Sequence, residues 1–244
     1  MAVVTGVTLK VLINKYDVTG YFRSLSTVGE RSMYDTTVFG STSKTVVPGM
    51  NAGTIDLGGL FEAITTVNAP DNVFTEIEAA ATVPLVSVYP EGWTLGNRVY
   101  LLQAHEAKHD IGAQVDALIV NTASFTCNDG FDYGVSLHAL SAETSFPFTG
   151  TVVNNGAASA NGGVAFLHVT AIAGGAPNVV YKIQHSVDGS TSWADLVTFA
   201  GVTIAGSQRI VVAAGTTVRQ YLRITITEGG TTSSVTGAPS FARR

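Results

Sequence analysis

Apolar and polar residues alternate with a period of two along most of this chain, which is the signature of β-strands. The clearest case lies in 218–226, where Leu222, Ile224 and Ile226 share one face and Arg219, Tyr221 and Arg223 the other. Similar patterns predict strands at 9–13, 24–31, 53–61, 83–89, 99–104, 117–127 and 133–139, the last two forming a pair around the Asn128-Asp129-Gly130 turn. Further strands are expected at 164–171, 179–185, 196–199 and 209–212. A short helical piece is expected at 18–22.

One stretch breaks this rhythm. In "NAPDNVFTEIEAAA" the apolar residues Val73, Phe74, Ile77 and Ala81 fall on one helical stripe, with Glu76 and Glu78 facing out. Asn68 is placed to cap this helix, Pro70 to open it and Asp71 to favour its positive end, while Pro84 closes it. Residues 33–48, "MYDTTVFGSTSKTVVP", read as a long Thr/Ser-rich loop with apolar residues embedded in it. Residues 149–163, "TGTVVNNGAASANGG", carry no charge and little bulk. They divide the chain into 1–149, a linker at 150–163 and an all-strand segment at 164–244. The expected fold is therefore mainly β: an N-terminal β-sandwich or barrel with one flanking α-helix, then a small C-terminal β-sandwich.

Composition agrees with that division. Residues 1–150 hold seven Lys/Arg and fifteen Asp/Glu, a balance of −8, whereas residues 151–244 hold six and three, a balance of +3. No basic cluster could neutralise a row of phosphates, which excludes tight groove binding to nucleic acid. The single cysteine, Cys127, excludes an intrachain disulfide framework and reads as a small buried hydrophobe at a strand end. The first 17 residues lack a basic segment followed by an apolar core, and no apolar run approaches the ~18 residues of a membrane span. The chain is expected to begin in a cytoplasm, with no membrane partner.

His105, Glu106 and His109 spell H-E-x-x-H, and Gly112 extends the match towards metzincins. A zinc hydrolase would use both histidines as ligands and the glutamate as general base, which requires a helix so that i and i+4 share one ion. The local pattern opposes this. "NRVYLLQA" alternates like a strand, Gly112 interrupts any helix, Val115 stands where a third ligand belongs, and all three methionines lie upstream. The alternative is a polar loop between two strands. No G-x-S-x-G elbow or phosphate loop is present. Trp93 and Trp193, each beside a turn, could stack sugars in a carbohydrate-binding module, although core or interface anchoring is the commoner use. No cofactor is expected.

"INKYDVTGYFRSLS" followed by "DTTVFGSTSKTVVPGMNAGTIDLGGLFE" resembles the tail tube (major tail) proteins of long-tailed bacteriophages. Asp35, Thr37, Phe39, Gly40, Pro48, Gly49, Gly53, Leu57, Gly59 and Phe61 carry the resemblance, which covers about residues 5–145. It implies a non-enzymatic virion protein, present in the host cytoplasm before assembly, that self-associates into rings of six. The rings stack into a tube, alongside other tail proteins, and genome DNA passes through without specific binding. It also implies that the long loop reaches an adjacent ring. The contact residues would be Tyr34, Asp35, Thr37, Phe39, Gly40, Val46, Val47, Pro48, Gly49 and Met50. Acidic residues in 1–150 suit a lumen that repels phosphate. "YKIQHSVDGSTSWADL" resembles the immunoglobulin-like additions of some tail tube proteins, implying that 164–244 decorate the outside.

Overall fold

The computed structural model describes residues 6–62, 68–80 and 82–244. Its strands are β1 (Lys10–Ile13), β2 (Tyr16–Asp17), β3 (Phe22–Asp35), β4 (Val46–Leu60), β5 (Leu85–Tyr89), β6 (Arg98–Gly112), β7 (Val120–Ser136) and β8 (Ser141–Glu143), followed by β9 (Phe148–Thr149), β10 (Val153–Asn154), β11 (Gly163–Ala173), β12 (Val179–Ser186), β13 (Ala194–Thr198), β14 (Gly206–Val212), β15 (Tyr221–Glu228) and β16 (Ser234–Arg243). The one α-helix among the described residues, α1, spans Pro70–Ala79. The expected mainly β class is observed. By contact, the chain divides into two units: Met1–Thr19 with Leu85–Leu101 and Asp132–Arg244, and Gly20–Pro84 with Leu102–Phe131.

The first unit is organised around β11, which pairs antiparallel with β14 on one side and β16 on the other. Its sequence, GVAFLHVTAIA, is buried through seven consecutive residues, because both faces are covered. Ala165, Leu167 and Val169 pack with Tyr181 and Ile183 of β12 and with Leu222, Ile224 and Ile226 of β15. Val164 and Phe166 face the other way, into a second cluster with Leu12, Tyr89, Leu101 and Ala242. Burial of each such large side chain contributes about 1.5–3 kcal/mol. β15 in turn pairs with β12, β9 and β10, and β12 pairs with β13. Residues 150–163, expected as a linker, run inside this unit. The N–H groups of Gly150, Asn155 and Ser159 donate to the carbonyls of Ile224, Gln220 and Val218. Such pairing uses only backbone, so small uncharged side chains are no sign of slack chain.

One buried polar network belongs to the second cluster's face of β11. His168 is fully buried, with Nδ1 2.6 Å from the Asn14 carbonyl and Nε2 2.7 Å from Ser87 Oγ. A carbonyl only accepts, so Nδ1 carries the proton and Nε2 accepts from the Ser87 hydroxyl. Asn14, in a left-handed turn at φ 50°, also receives Leu85 N–H and Ser207 Oγ–H at its side-chain oxygen. The imidazole is thus locked neutral, and burial pushes its pKa down to about 4.

In the second unit, β3 and β4 form a long hairpin, and β4 continues antiparallel to β7 from Thr54↔Thr126 to Leu60↔Val120. β7 also neighbours β6. Ile55 and Leu57 of β4, and Ala123 and Phe125 of β7, are buried. Helix α1 covers them with Val73, Phe74 and Ile77, and the Phe74 ring lies 5.9 Å from Phe125 and 6.2 Å from Phe22. Pro70 opens the helix as expected, but Ala69 occupies the capping position and no side chain caps it. The expected place of Ala81 on the helical stripe lies outside the described residues.

Several sequence expectations need correction. The strands expected at 24–31 and 53–61 each extend into the stretch read as loop, leaving only 36–45 between them. The strand expected at 99–104 runs on to Gly112. Asn128-Asp129-Gly130 makes no hairpin turn: β7 passes straight through it, with Gly130 in the left-handed region at φ 83°. Strand β16, Ser234–Arg243, has no counterpart among the sequence expectations. Pro239 sits in register with Leu167, and its carbonyl accepts from Leu137 N–H.

The neutral His168 gives a pH signature. The unfolded chain takes up a proton near pH 6.5 that the folded unit refuses until about 4. Stability is therefore full above 6.5 and falls as pH drops towards 4, by about 3 kcal/mol. Trp93 and Trp193 both belong to this unit, so denaturation followed by tryptophan fluorescence reads it. The His168 ring resonances are expected to stay in the neutral form down to about pH 4; titration near 6.5 would contradict the assigned tautomer and burial.

Candidate functional site

The far half of the β3–β4 hairpin is a two-stranded ribbon. Every residue from Val28 to Asp35 is exposed, and no residue from Val46 to Ala52 is buried. Such a ribbon has no apolar face of its own to hold it and is marginal in water. Threonine side chains stiffen its end. Thr45 N–H donates to Thr37 Oγ1 at 2.9 Å, Thr36 N–H to the Thr45 carbonyl at 2.9 Å, and Thr37 N–H to Asp35 Oδ1 at 2.9 Å. The Thr37 hydroxyl and N–H, and more weakly Lys44, hold the Asp35 carboxyl below the usual range. Gly40, at φ 92°, turns the chain.

This frame displays apolar groups. Phe39 is wholly exposed at 108% of its reference area, and Met33, Tyr34, Val38, Val46, Val47 and Met50 are exposed as well. Tyr34 lies across Gly49, where a Cβ would run into its ring. The structure therefore brings the sequence-selected Tyr34, Asp35, Thr37, Phe39, Gly40, Val46, Val47, Pro48, Gly49 and Met50 together on one hairpin end.

A second apolar end, missed in the sequence, closes the β6–β7 hairpin. Ile111, Val115, Leu118, Ile119 and Val120 are all exposed, Val115 at 93%. The signal was present in "IGAQVDALIV", where an apolar cluster surrounds Gly112 and Asp116. The alternation there places only 117–120 within an expected strand.

His105, Glu106 and His109 lie on strand β6, neither on a helix nor in a loop. Along a strand, residues four apart are separated by about 13 Å, too far to share a tetrahedral ion with bonds of about 2 Å. No three His, Cys, Asp or Glu side chains group as a metal site among the described residues. His105 is exposed and borders the same cavity as Glu106 and His109; the His109 ring packs edge-on against Phe74 at 4.9 Å, its Nε2 4.0 Å from Asp71 Oδ1. Glu106 lines a cavity of about 460 Å³ with Ile77, Glu78 and Pro84, and its Oε1 has no hydrogen-bond partner among the described residues. Burial, then the neighbouring Glu78, push its pKa up to about 7.

Both tryptophans have structural uses. Trp93 packs edge-on against Tyr89 at 4.8 Å, and the Arg223 guanidinium lies over the Trp193 ring at 4.1 Å. The Ser87–His168 pair is sealed from solvent and offers no nucleophile to a substrate.

No protein-family model and no curated protein matches this chain. Among solved structures, a chain from the virion of a native gene transfer agent particle aligns with 14% identity and a TM-score of 0.42, over 53% of this chain and 97% of that one. The Dit protein of SPP1, described as a hub of the adsorption apparatus in phages infecting Gram-positive bacteria, aligns with 12% identity and a TM-score of 0.40, over 96% and 98%. A chain of the phage p2 baseplate in its activated conformation aligns with 8% identity and a TM-score of 0.36, over 97% and 98%. Likenesses of this size fix neither a fold family nor a function.

The Glu106 site yields a test. Its folded pKa is raised from 4.5 to about 7, so its contribution is complete below pH 4.5 and is lost as pH rises to about 7. Hydrogen exchange at the amides of α1 is expected to quicken over that interval beyond the intrinsic pH effect, and Glu106→Gln to remove the excess. An equal excess in the variant would show that another group is responsible.

Proposed function

We propose that this chain is a structural protein of a phage tail, and that copies assemble into stacked rings forming the tail tube. The carrying observation is the exposed ribbon end, a hydrogen-bonded hairpin displaying Tyr34, Phe39, Val46, Val47 and Met50, all exposed among the described residues. Apolar surface on this scale gains about 25 cal/mol per Å² when covered by another subunit. The sequence resemblance of residues 5–145 supports the same reading. β3, which among the described residues pairs only with β4, supplies a long open edge for lateral contacts.

In this reading the ribbon end reaches the neighbouring ring. The rings are hexameric, as the resemblance implies. The acidic balance of 1–150 lets DNA slide past without adhering. The chain acts by self-association and catalyses no reaction.

Negative-stain electron microscopy of the purified, concentrated protein is expected to show rings or hollow tubes. Deletion of 37–46 is expected to leave a folded chain, with native hydrogen-exchange protection of the β4 and β7 amides, that forms neither. Tubes of normal appearance from the deletion variant would overturn the role given to the ribbon, and dispersed monomers from the intact chain at every concentration would count against the tube itself.

A further inference from the structure

The two apolar hairpin ends occupy opposite ends of one sheet. Strand β4 leaves the ribbon end at Val46 and finishes at Leu60, which lies opposite Val120. Val120 follows directly on the β6–β7 turn, and Phe61 N–H donates to the carbonyl of Ile119 in that turn at 3.0 Å. The β3–β4 turn therefore caps one end of the β3–β4–β7–β6 sheet, and the β6–β7 turn caps the other. At 3.3 Å per residue, the fifteen residues of β4 hold them about 50 Å apart.

Neither end can reach the other within one copy, and each exposes several large apolar side chains. Covering such side chains with another copy is favoured by about 25 cal/mol per Å² of apolar surface removed from water. Two different apolar patches on opposite ends of one sheet favour a heterologous contact, which repeats indefinitely along the sheet's axis. An isologous contact would join like ends and leave the other pair uncovered.

We propose that the β6–β7 end, with Ile111, Val115 and Leu118, receives the Val38–Phe39 end of the next copy, so that copies join head to tail along the strand direction. This rests on the self-assembly reading and adds the receiving surface. The contact is mainly apolar. Among the described residues, Glu62, Lys108, Asp110 and Asp116 flank the receiving end, and Lys108 is paired with Asp110.

Cross-linking between copies tests it. In a Cys127→Ser background, Ser41→Cys marks the ribbon end and Gln114→Cys the receiving end, and both positions are exposed and leave the apolar side chains in place. Assemblies grown from an equal mixture are expected to give dimers with a short bismaleimide, while assemblies of either variant alone give none. Dimers from Ser41→Cys alone, or assemblies that never cross-link in the mixture, would overturn the head-to-tail contact and leave self-assembly standing. Absence of any assembly by sedimentation would overturn both. Independently, Val115→Asp with Leu118→Asp is expected to keep native hydrogen-exchange protection of the β4 and β7 amides and to abolish sedimenting assemblies; normal assembly of that variant would overturn the proposal.

Discussion

Strand β4 changes character half-way along its length, and the second unit is arranged around that change. From Gly53 onwards it is a three-sided element, hydrogen-bonded to β3 and β7 and covered by the aromatic cluster of Phe22, Phe74 and Phe125. Before Asn51 it holds to β3 alone. The junction is secured by Asn51 Nδ2 donating to the Phe131 carbonyl and by the Phe131 ring lying over Gly53. A two-stranded ribbon cannot supply its own core. Its order comes from the anchored half and from the threonine bonds at its end, and its apolar side chains are left for an outside surface.

The first unit solves the opposite problem. β11 has apolar side chains on both faces and satisfies both with the packing of its own unit. The one polar intruder on that strand, His168, is tolerated because Asn14 and Ser87 meet both ring nitrogens. Leaving either nitrogen unmatched would cost about 1–3 kcal/mol. The same logic explains why Glu106, with an unmatched oxygen in its cavity, holds its proton more tightly than an exposed carboxyl.

Alternation alone located most strands, and the stripe of Val73, Phe74 and Ile77 located the helix. These signals are local. What they missed depends on partners distant in sequence. Pro239 reads as a strand breaker until Leu137 is seen to use its carbonyl, and Gly130 as a turn until β7 is seen to run through it. The ribbon end was legible because bulky apolar residues stood out in a Thr/Ser-rich stretch. The β6–β7 end was not, because Leu118, Ile119 and Val120 merge into the strand that follows. H-E-x-x-H specifies a spacing, and only on a helix does that spacing bring its three side chains to one point.

The ladder between β4 and β7 has a mechanical consequence. Its seven residue pairs lie side by side along the strands, and the bonds between antiparallel strands run perpendicular to them. Tension applied along the strands would load these rungs simultaneously, in shear, whereas a pull across the sheet would open them one after another. A sheet built this way is strongest along the line joining its two turns.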